Sequence, residues 1–180
     1  TATFAVTPAL SFPPLAGVCQ NPGAAPSSVA SATATNAVTG TGVYSGTGVN
    51  ASGLFDPNVA GPGVHTITYT FTTTGGCTAS ATSTIEVYAR PTAAFTVSGN
   101  NNTCLGTALT ITSSSSIPSG TISNWNWNLG DGNSPSYTNG NPFTVNYAGV
   151  NSYTIQLVTV SDRGCFSAPV SQTVGVHPIP

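Results

Sequence analysis

Apolar and polar residues alternate along several short segments of the chain. Between residues 66 and 72, Ile67, Tyr69 and Phe71 fill every second position and threonine fills the others. The segment 153–157 repeats this alternation. A period of two places apolar side chains on one face of a β-strand and polar side chains on the other. Threonine suits the wet face, because its branched Cβ fits the pleat while its hydroxyl meets water. The pattern predicts half-buried strands.

Other segments extend this prediction to the whole chain. Phe4 and Val6, and later Phe95 and Val97, have the spacing of opening strands. No apolar period of 3.6 persists over three helical turns, and clusters of glycine, proline and asparagine separate the apolar segments, as turns require. About seven short strands in about 90 residues are typical of an immunoglobulin-like sandwich. The expected fold class is therefore all-β, with two such sandwich domains in tandem.

An internal duplication underlies this expectation of two domains. When residue 55 is placed against residue 143, Phe55 meets Phe143, and Gly76-Cys77 meets Gly164-Cys165 without a gap. Self-similarity at a fixed spacing is the signature of repeated structural units. The repeat length is about 90 residues.

The duplication also predicts how the units are arranged along the chain. We expect one domain over residues 1–90 and a second over residues 91–180, with a short junction at Arg90-Pro91 that proline stiffens. The last residues, 177–180, match the junction that closes the first unit. We therefore expect the chain to be an excerpt of a longer tandem array, or a subunit that continues end to end into its neighbour.

Four cysteines, Cys19, Cys77, Cys104 and Cys165, allow three disulfide pairings. The duplication favours Cys19–Cys77 and Cys104–Cys165, with one bridge in each unit. Free buried thiols and a metal site are the alternatives, although structural zinc usually shows close cysteine pairs, which this sequence lacks. Disulfides would place the protein outside the cytosol.

The charge content excludes several functions. Only 3% of the residues are charged, and lysine and arginine together number two. Nucleic-acid binding and a polybasic membrane patch both need many cations. The sequence has no apolar run of about 20 residues, so membrane insertion is not expected. The few acids and histidines also make enzymatic activity an unfavoured prediction, and we expect no cofactor.

The segment 125–132, Trp-Asn-Trp-Asn-Leu-Gly-Asp-Gly, is the most distinctive of the chain. It resembles the W-x-F-G-D-G signature of the PKD (polycystic kidney disease) domain, with Leu129 where phenylalanine is common. Residues 149–160 and 162–165 are similar to the second half of PKD repeats in large bacterial surface proteins. The resemblance covers roughly residues 91–177 and implies a PKD-like sandwich.

Residues 1–90 resemble the related immunoglobulin-like repeats that accompany PKD units in Bacteroidetes adhesins and gliding-type surface proteins. The segments 42–48, 55–57, 63–70 and Gly76-Cys77 carry this resemblance. It implies extracellular display, often through type IX secretion, with a role in adhesion or as a spacer. Other copies or flanking repeats of the same array are the expected partners.

Within the distinctive segment, Trp127 and Leu129 are expected to point inward, with Trp127 as a core anchor between the sheets. The following Gly-Asp-Gly predicts a tight turn in which the Asp131 carboxylate accepts backbone N–H bonds. The alternative makes Asp131 a calcium ligand together with Asn133 and Asp162. Calcium usually takes six to eight oxygens, including several carboxylates, so Asp131 is only a weak candidate.

Aromatic residues suggest a second function, that of a carbohydrate-binding accessory module of a secreted hydrolase. Trp125, Tyr137 and Tyr44 are the candidates for stacking on sugar rings, although a packed or interfacial Trp125 is the competing interpretation. Two further aromatic rings, His65 and Tyr153, align in the duplication and are expected to form equivalent corners, in which the polar tip of the ring reaches nearby backbone.

Overall fold

The computed structural model describes residues 7–35 and 38–179. Over these residues the chain consists of short β-strands, with a four-residue α-helix and a 3-10 turn at Gly99–Asn101. The chain divides into two compact units, Thr1–Tyr88 and Ala89–Pro180. None of the helices in the described ranges is long and apolar enough to cross a membrane.

The strands of the first unit are mostly short. They are β1 (Leu10–Ser11), β2 (Val18–Cys19), β3 (Ser27–Ser28), β4 (Thr33–Ala34), β5 (Gly40–Ser45), β6 (Leu54–Phe55), β7 (Gly63–Thr73) and β8 (Thr78–Tyr88). Strands β2, β8, β7 and β5 form a four-stranded sheet in this order, while β1 pairs with β4 and β3 pairs with β6. The opening strand predicted at Phe4 and Val6 lies outside the described residues.

The alternation in β7 produces the core of the first unit. Ile67, Tyr69 and Phe71 are buried, and the threonines between them are partly or fully exposed. Apolar residues from β8 and from the shorter strands pack against them. The core consists of Val29, Tyr44, Phe55, Ile67, Tyr69, Phe71, Ile85 and Val87.

A helix not expected from the sequence, α1 (Pro57–Ala60), lies between β6 and β7. The carboxylate of Asp56 accepts the backbone N–H of Asn58 at 2.8 Å and caps its N-terminus. Proline at the first helical position has the required φ, and Gly61, with φ of 79°, ends the helix. The helix is too short for an apolar period to reveal it, although Asp-Pro is a recognisable start signal.

The second unit contains a larger sandwich. Its strands are β9 (Phe95–Val97), β10 (Asn102–Cys104), β11 (Leu109–Ser113), β12 (Ile122–Asn128), β13 (Ser136–Tyr137), β14 (Phe143–Val145), β15 (Asn151–Ser161) and β16 (Val170–His177). Strands β10, β16, β15, β12 and β13 form one sheet in this order, and β14, β11 and β9 form the other. Strands β10, β16, β15 and β12 thus repeat the order of β2, β8, β7 and β5.

Aromatic side chains fill the space between the two sheets of the second unit. Trp127 and Leu129 are buried, as predicted. The Trp127 ring meets Phe95 edge-on at a centroid distance of 5.1 Å and Phe143 at 5.2 Å. Edge-to-face pairs at this distance stabilise a core beyond the burial of their area. The core consists of Phe95, Leu109, Ile111, Trp127, Leu129, Val145, Tyr147, Ile155, Leu157, Val174 and Val176.

Each unit therefore has its own apolar core between β-sheets, which confirms the predicted all-β sandwich class. The corner residues also repeat. Nε2 of His65 donates to the carbonyl of Gly61 at 2.8 Å, and the hydroxyl of Tyr153 donates to the carbonyl of Gly149 at 3.0 Å. The predicted equivalence of His65 and Tyr153 is confirmed.

Candidate functional site

The distinctive tryptophan segment forms β12, and its two tryptophans lie on one face of that strand. Trp127 is buried and Trp125, two positions earlier, is half-buried. The indole N–H of Trp125 donates to the hydroxyl of Ser113 on β11 at 3.0 Å. Because side chains alternate along a strand, the inward direction of Trp127 also directs Trp125 toward the opposite sheet. The packed interpretation of Trp125 is the one that the structure supports.

Tyr137 lies on β13 directly across from Trp125. Its ring is half-buried and lies 5.0 Å from the ring of Phe143. A Cβ atom added to Gly140 would come within 3.1 Å of the Trp125 ring, so the backbone at Gly140 already lies against the indole. The pair of Trp125 and Tyr137 is thus a packed edge of the sandwich, and glycan stacking by either residue remains a prediction.

Tyr44, the third candidate for sugar stacking, is a core residue. It is 9% exposed, with its ring 4.8 Å from Tyr69 and 5.8 Å from Phe12. Its hydroxyl accepts the N–H of Ala32 at 3.1 Å. The prediction of an exposed stacking ring is wrong for Tyr44, because β5 places this side chain toward the same interior as the aromatic residues of β7. Burial, together with the neighbouring Tyr44, raises the pKa of Tyr69.

Asp131 occupies the turn that follows β12. Its carboxylate accepts the backbone N–H of Asn133 at 3.0 Å and the Asn133 side-chain amide at 2.9 Å. Gly130 and Gly132 have φ of 79° and 96°, a region that favours glycine. The structural interpretation of the Gly-Asp-Gly turn is confirmed.

Of the predicted calcium set, Asp131 and Asn133 are in contact, but Asp162 is not brought to them. A Cβ atom at Gly130 would lie 2.7 Å from the carbonyl oxygen of Thr154, so the Gly-Asp-Gly turn lies near the start of β15. Asp162 follows the other end of that strand, about 25 Å away at the usual rise per residue. Within residues 7–35 and 38–179, no group of three or more histidine, cysteine, aspartate and glutamate side chains could hold a metal ion.

The four cysteines occupy two kinds of position, and each unit has one of each kind. Cys19 on β2 pairs in register with Tyr88, the last residue of β8. Cys104 on β10 pairs in register with His177, the last residue of β16. We call Cys19 and Cys104 the exit cysteines, because they lie where the last strand of each unit ends.

The other two, Cys77 and Cys165, lie in the hairpin turns that connect β7 with β8 and β15 with β16. The backbone N–H of Thr73 donates to the Cys77 carbonyl at 2.8 Å, and that of Ser161 donates to the Cys165 carbonyl at 2.9 Å. In return, the hydroxyls of Thr73 and Ser161 accept the N–H groups of these cysteines, each at 3.0 Å. We call Cys77 and Cys165 the hairpin cysteines.

The redox states of the cysteines differ from the prediction. Cys19 and Cys165 are disulfide-bonded, whereas Cys77 and Cys104 are free thiols. The predicted bridges Cys19–Cys77 and Cys104–Cys165 are therefore both wrong.

Strand length is the physical reason for this correction. Cys19 and Cys77 lie at opposite ends of β8, whose 11 residues span about 33 Å. Cys104 and Cys165 lie at opposite ends of the β15–β16 hairpin, which is equally long. The Cα atoms of a disulfide lie at most about 7 Å apart. The duplication identified equivalent cysteines correctly, but equivalence in sequence carries no information about proximity in space.

Tyr147 is a buried group that sequence reasoning missed. It is 3% exposed, donates its hydroxyl to the Leu129 carbonyl at 2.8 Å and stacks on Tyr153 with ring centroids 4.0 Å apart. Burial, with smaller contributions from Asp131 and Tyr153, raises the pKa of Tyr147 to about 12. Tyr147 aligns with Val59 in the duplication, so the repeat gave no signal for a polar group here.

The two sheets packed around an apolar core define the second unit as an immunoglobulin-like sandwich. Residues 88–176 match the family model described as the PKD domain. This match confirms the PKD domain expected in the second half of the chain. Comparison with curated proteins finds no match.

Solved structures are similar in fold. The N-terminal eight immunoglobulin domains of Down Syndrome Cell Adhesion Molecule (DSCAM) isoform 1.30.30 align with 96% of this chain and 24% of that chain, at 14% identity and a TM-score of 0.61. The PKD1 domain of the Vibrio cholerae metalloprotease PrtV aligns with 48% of this chain and 96% of that chain, at 24% identity and a TM-score of 0.40. A carbohydrate-binding module of the β-sandwich superfamily is 23% identical over 49% of this chain and 35% of that chain, with a TM-score of 0.46. The chain thus spans about a third of that module's structure and about a quarter of the DSCAM structure.

Proposed function

We propose that this chain is a non-enzymatic structural and adhesive repeat of an extracellular fibre, stalk or filament, in which such units follow one another end to end. The observation that carries the proposal is the repetition of one architecture in both units. Each unit has a sheet with the same strand order, a corner bond to an equivalent glycine and a hairpin turn with nearly identical hydrogen bonds. Repeated modules that differ little in architecture are suited to extension and display.

Disulfide chemistry and the PKD domain support the extracellular location. Disulfides form and persist in oxidising compartments, and Cys19 and Cys165 are both bonded. The proposed partners are other copies of the chain or flanking repeats of the same array, with surface glycans as further contacts. A formal net charge of −2 over 180 residues keeps the electrostatic repulsion between neighbouring units small.

A carbohydrate-binding accessory role is the weaker alternative. Tyr44 is buried, and Trp125 donates its indole N–H within the sandwich. Sugar stacking requires an aromatic face open to solvent, and the backbone of Gly140 lies against the indole of Trp125. Glycan contact in the proposed array would therefore involve other parts of the surface.

Association of the purified chain tests the array. We expect sedimentation velocity and negative-stain electron microscopy to show end-to-end oligomers as the protein concentration rises. A strictly monomeric chain that also fails to adhere to cells or surfaces would contradict the proposal.

A matched pair of variants tests the contribution of low charge. Thr66 and Thr84 lie opposite each other on β7 and β8, and both are exposed. The variant Thr66→Glu/Thr84→Glu takes the formal net charge from −2 to −4 (−2 − 2), whereas Thr66→Lys/Thr84→Glu leaves it at −2 (−2 + 1 − 1) with charges at the same sites. If lateral packing involves this face, the first variant should associate less than the second, and the difference should shrink at high salt.

A further inference from the structure

The two free cysteines are structural copies of the two bonded ones. Cys104 is an exit cysteine like Cys19. Each lies on a strand that runs parallel to the last strand of its unit, and each cysteine pairs in register with the final residue of that last strand. Cys77 is a hairpin cysteine like Cys165, with the same two hydrogen bonds to the residue four positions earlier. The chain therefore has one bonded and one free example of each kind.

Both free thiols lie in accessible surroundings. Cys104 is exposed on β10, an edge strand of the five-stranded sheet. Cys77 is half-buried at the end of a turn formed by Thr74, Gly75 and Gly76. A Cβ atom added to Gly76 would meet no other atom within 4 Å, and one added to Gly75 would meet only the Thr73 hydroxyl at 3.9 Å. Another protein surface can approach this turn.

The free cysteines also lie at ends of their own units where a neighbour in an array would attach. Cys104 lies where β16 ends at His177, and so where a following unit would begin. The first unit ends at Tyr88, the last residue of β8. Cys77 precedes the first residue of β8 and therefore lies at the opposite end of that strand. Neither thiol can reach the other cysteine of its own unit, because about 33 Å of strand separates them.

We propose that Cys104 and Cys77 are attachment sites for disulfides to further copies of this chain, with Cys104 of one copy joined to Cys77 of the next. The inference rests on the proposed end-to-end array and adds a covalent link between its members. The bonded cysteines, Cys19 and Cys165, are one exit and one hairpin cysteine. The proposed bond joins Cys104, an exit cysteine, to Cys77, a hairpin cysteine.

The reaction is an oxidation of two thiols. Each thiol loses its proton and one electron, and the two sulfur atoms form one S–S bond. The two electrons and two protons pass to a disulfide oxidant, such as oxidised glutathione or a dithiol oxidase of the secretory route. Exchange proceeds through a mixed disulfide that the thiolate of the second copy resolves.

Serine variants test the pairing directly. The full chain, Cys77→Ser, Cys104→Ser and the double variant are incubated separately with oxidised and reduced glutathione, and then examined on non-reducing gels. We expect a ladder of multimers for the unmodified chain and only monomer for each variant alone. An equimolar mixture of the two single variants should form a dimer and nothing larger, because it contains one Cys104 and one Cys77 able to react.

Two results would overturn the inference. One is an absence of crosslinks in the unmodified chain, and the other is dimerisation of a single variant by itself, which would indicate Cys104–Cys104 or Cys77–Cys77 bonds. Sedimentation of the double variant separates this test from that of the array. If the chains associate non-covalently but form no crosslinks, the array is supported and the proposed disulfide is wrong. If the ladder forms with the unmodified chain and each single variant stays monomeric, Cys104 of one copy is bonded to Cys77 of another.

Discussion

Trp125 on β12 donates its indole N–H to the hydroxyl of Ser113 on β11 at 3.0 Å, and this bond joins the two sheets of the second unit. Ser113 also donates to the Ser115 hydroxyl at 3.0 Å, so the serine is held in a position to accept. The bond explains why a half-buried tryptophan at the edge of the core has a defined orientation.

Replacing Trp125 should therefore affect stability. We expect Trp125→Ala to lower the free energy of unfolding by about 2–3 kcal/mol, less than for a fully buried tryptophan. Trp125→Phe keeps most of the ring area and loses the N–H donor, so it should cost about 1 kcal/mol. Urea unfolding monitored by far-UV circular dichroism measures both values. If Trp125→Ala has the same free energy of unfolding as the unmodified chain but no longer binds chitin or cellulose, the packed interpretation is wrong. That result would support the carbohydrate-binding role.

The corner bonds give a prediction that compares the two units. Tyr153→Phe removes the donor to Gly149 and keeps the ring, so it should destabilise the second unit by about 1 kcal/mol. His65→Phe removes the equivalent donor to Gly61 and should destabilise the first unit by a similar amount. Hydrogen exchange assigns each loss to its unit. An equal loss of protection in both units after either substitution would contradict the assignment of the bonds to separate cores.

The buried hydroxyl of Tyr147 predicts a dependence of stability on alkaline pH. The folded-state pKa is raised to about 12, above the value of about 10 for an exposed tyrosine. Below pH 10 the residue is protonated in both states. Between about pH 10 and 12 the unfolded chain releases the proton while the folded chain retains it, so the free energy of unfolding falls as the pH rises.

Absorbance at 295 nm tests this assignment. The unmodified chain should show a tyrosinate transition near pH 12 that Tyr147→Phe lacks, while Tyr137→Phe, at a half-buried ring, should retain it. A Tyr147→Phe titration identical to that of the unmodified chain would contradict the assigned shift.

The redox states predict a pattern of alkylation. Treatment of the folded, unreduced monomer with N-ethylmaleimide should add two labels, at Cys77 and Cys104, and labelling after denaturation and reduction should add four. Peptide mass spectrometry locates the labels. A label on Cys19 or Cys165 before reduction would contradict the assigned disulfide state.

Asp131 should act through its turn and not through a metal ion. Its carboxylate is already engaged by Asn133, and Asp162 is about 25 Å away along β15. A chelator should therefore leave the melting temperature unchanged, and Asp131→Asn should cost less than about 1 kcal/mol, as for most exposed substitutions. A rise in melting temperature on adding calcium, lost in Asp131→Asn, would contradict this.

The amino-acid sequence by itself determined the local structure and the repetition of the fold. The alternation of Ile67, Tyr69 and Phe71 with threonine predicted a strand and its buried face, because side-chain direction in a strand depends only on the parity of the position. The alignment of His65 with Tyr153 predicted equivalent corners. The same parity would also have placed Trp125 on the inward face with Trp127.

Only the tertiary structure decided which distant residues meet. Cys19 aligns with Cys104 and Cys77 with Cys165, yet each within-unit pair is held apart by the length of a strand. Tyr44 is a core residue because β5 pairs with β7, and the Tyr147 hydroxyl donates to the carbonyl of Leu129, 18 residues earlier in the chain. Such contacts depend on strand length, register and sheet packing, which act between residues far apart in the chain, and no local pattern of residues contains them.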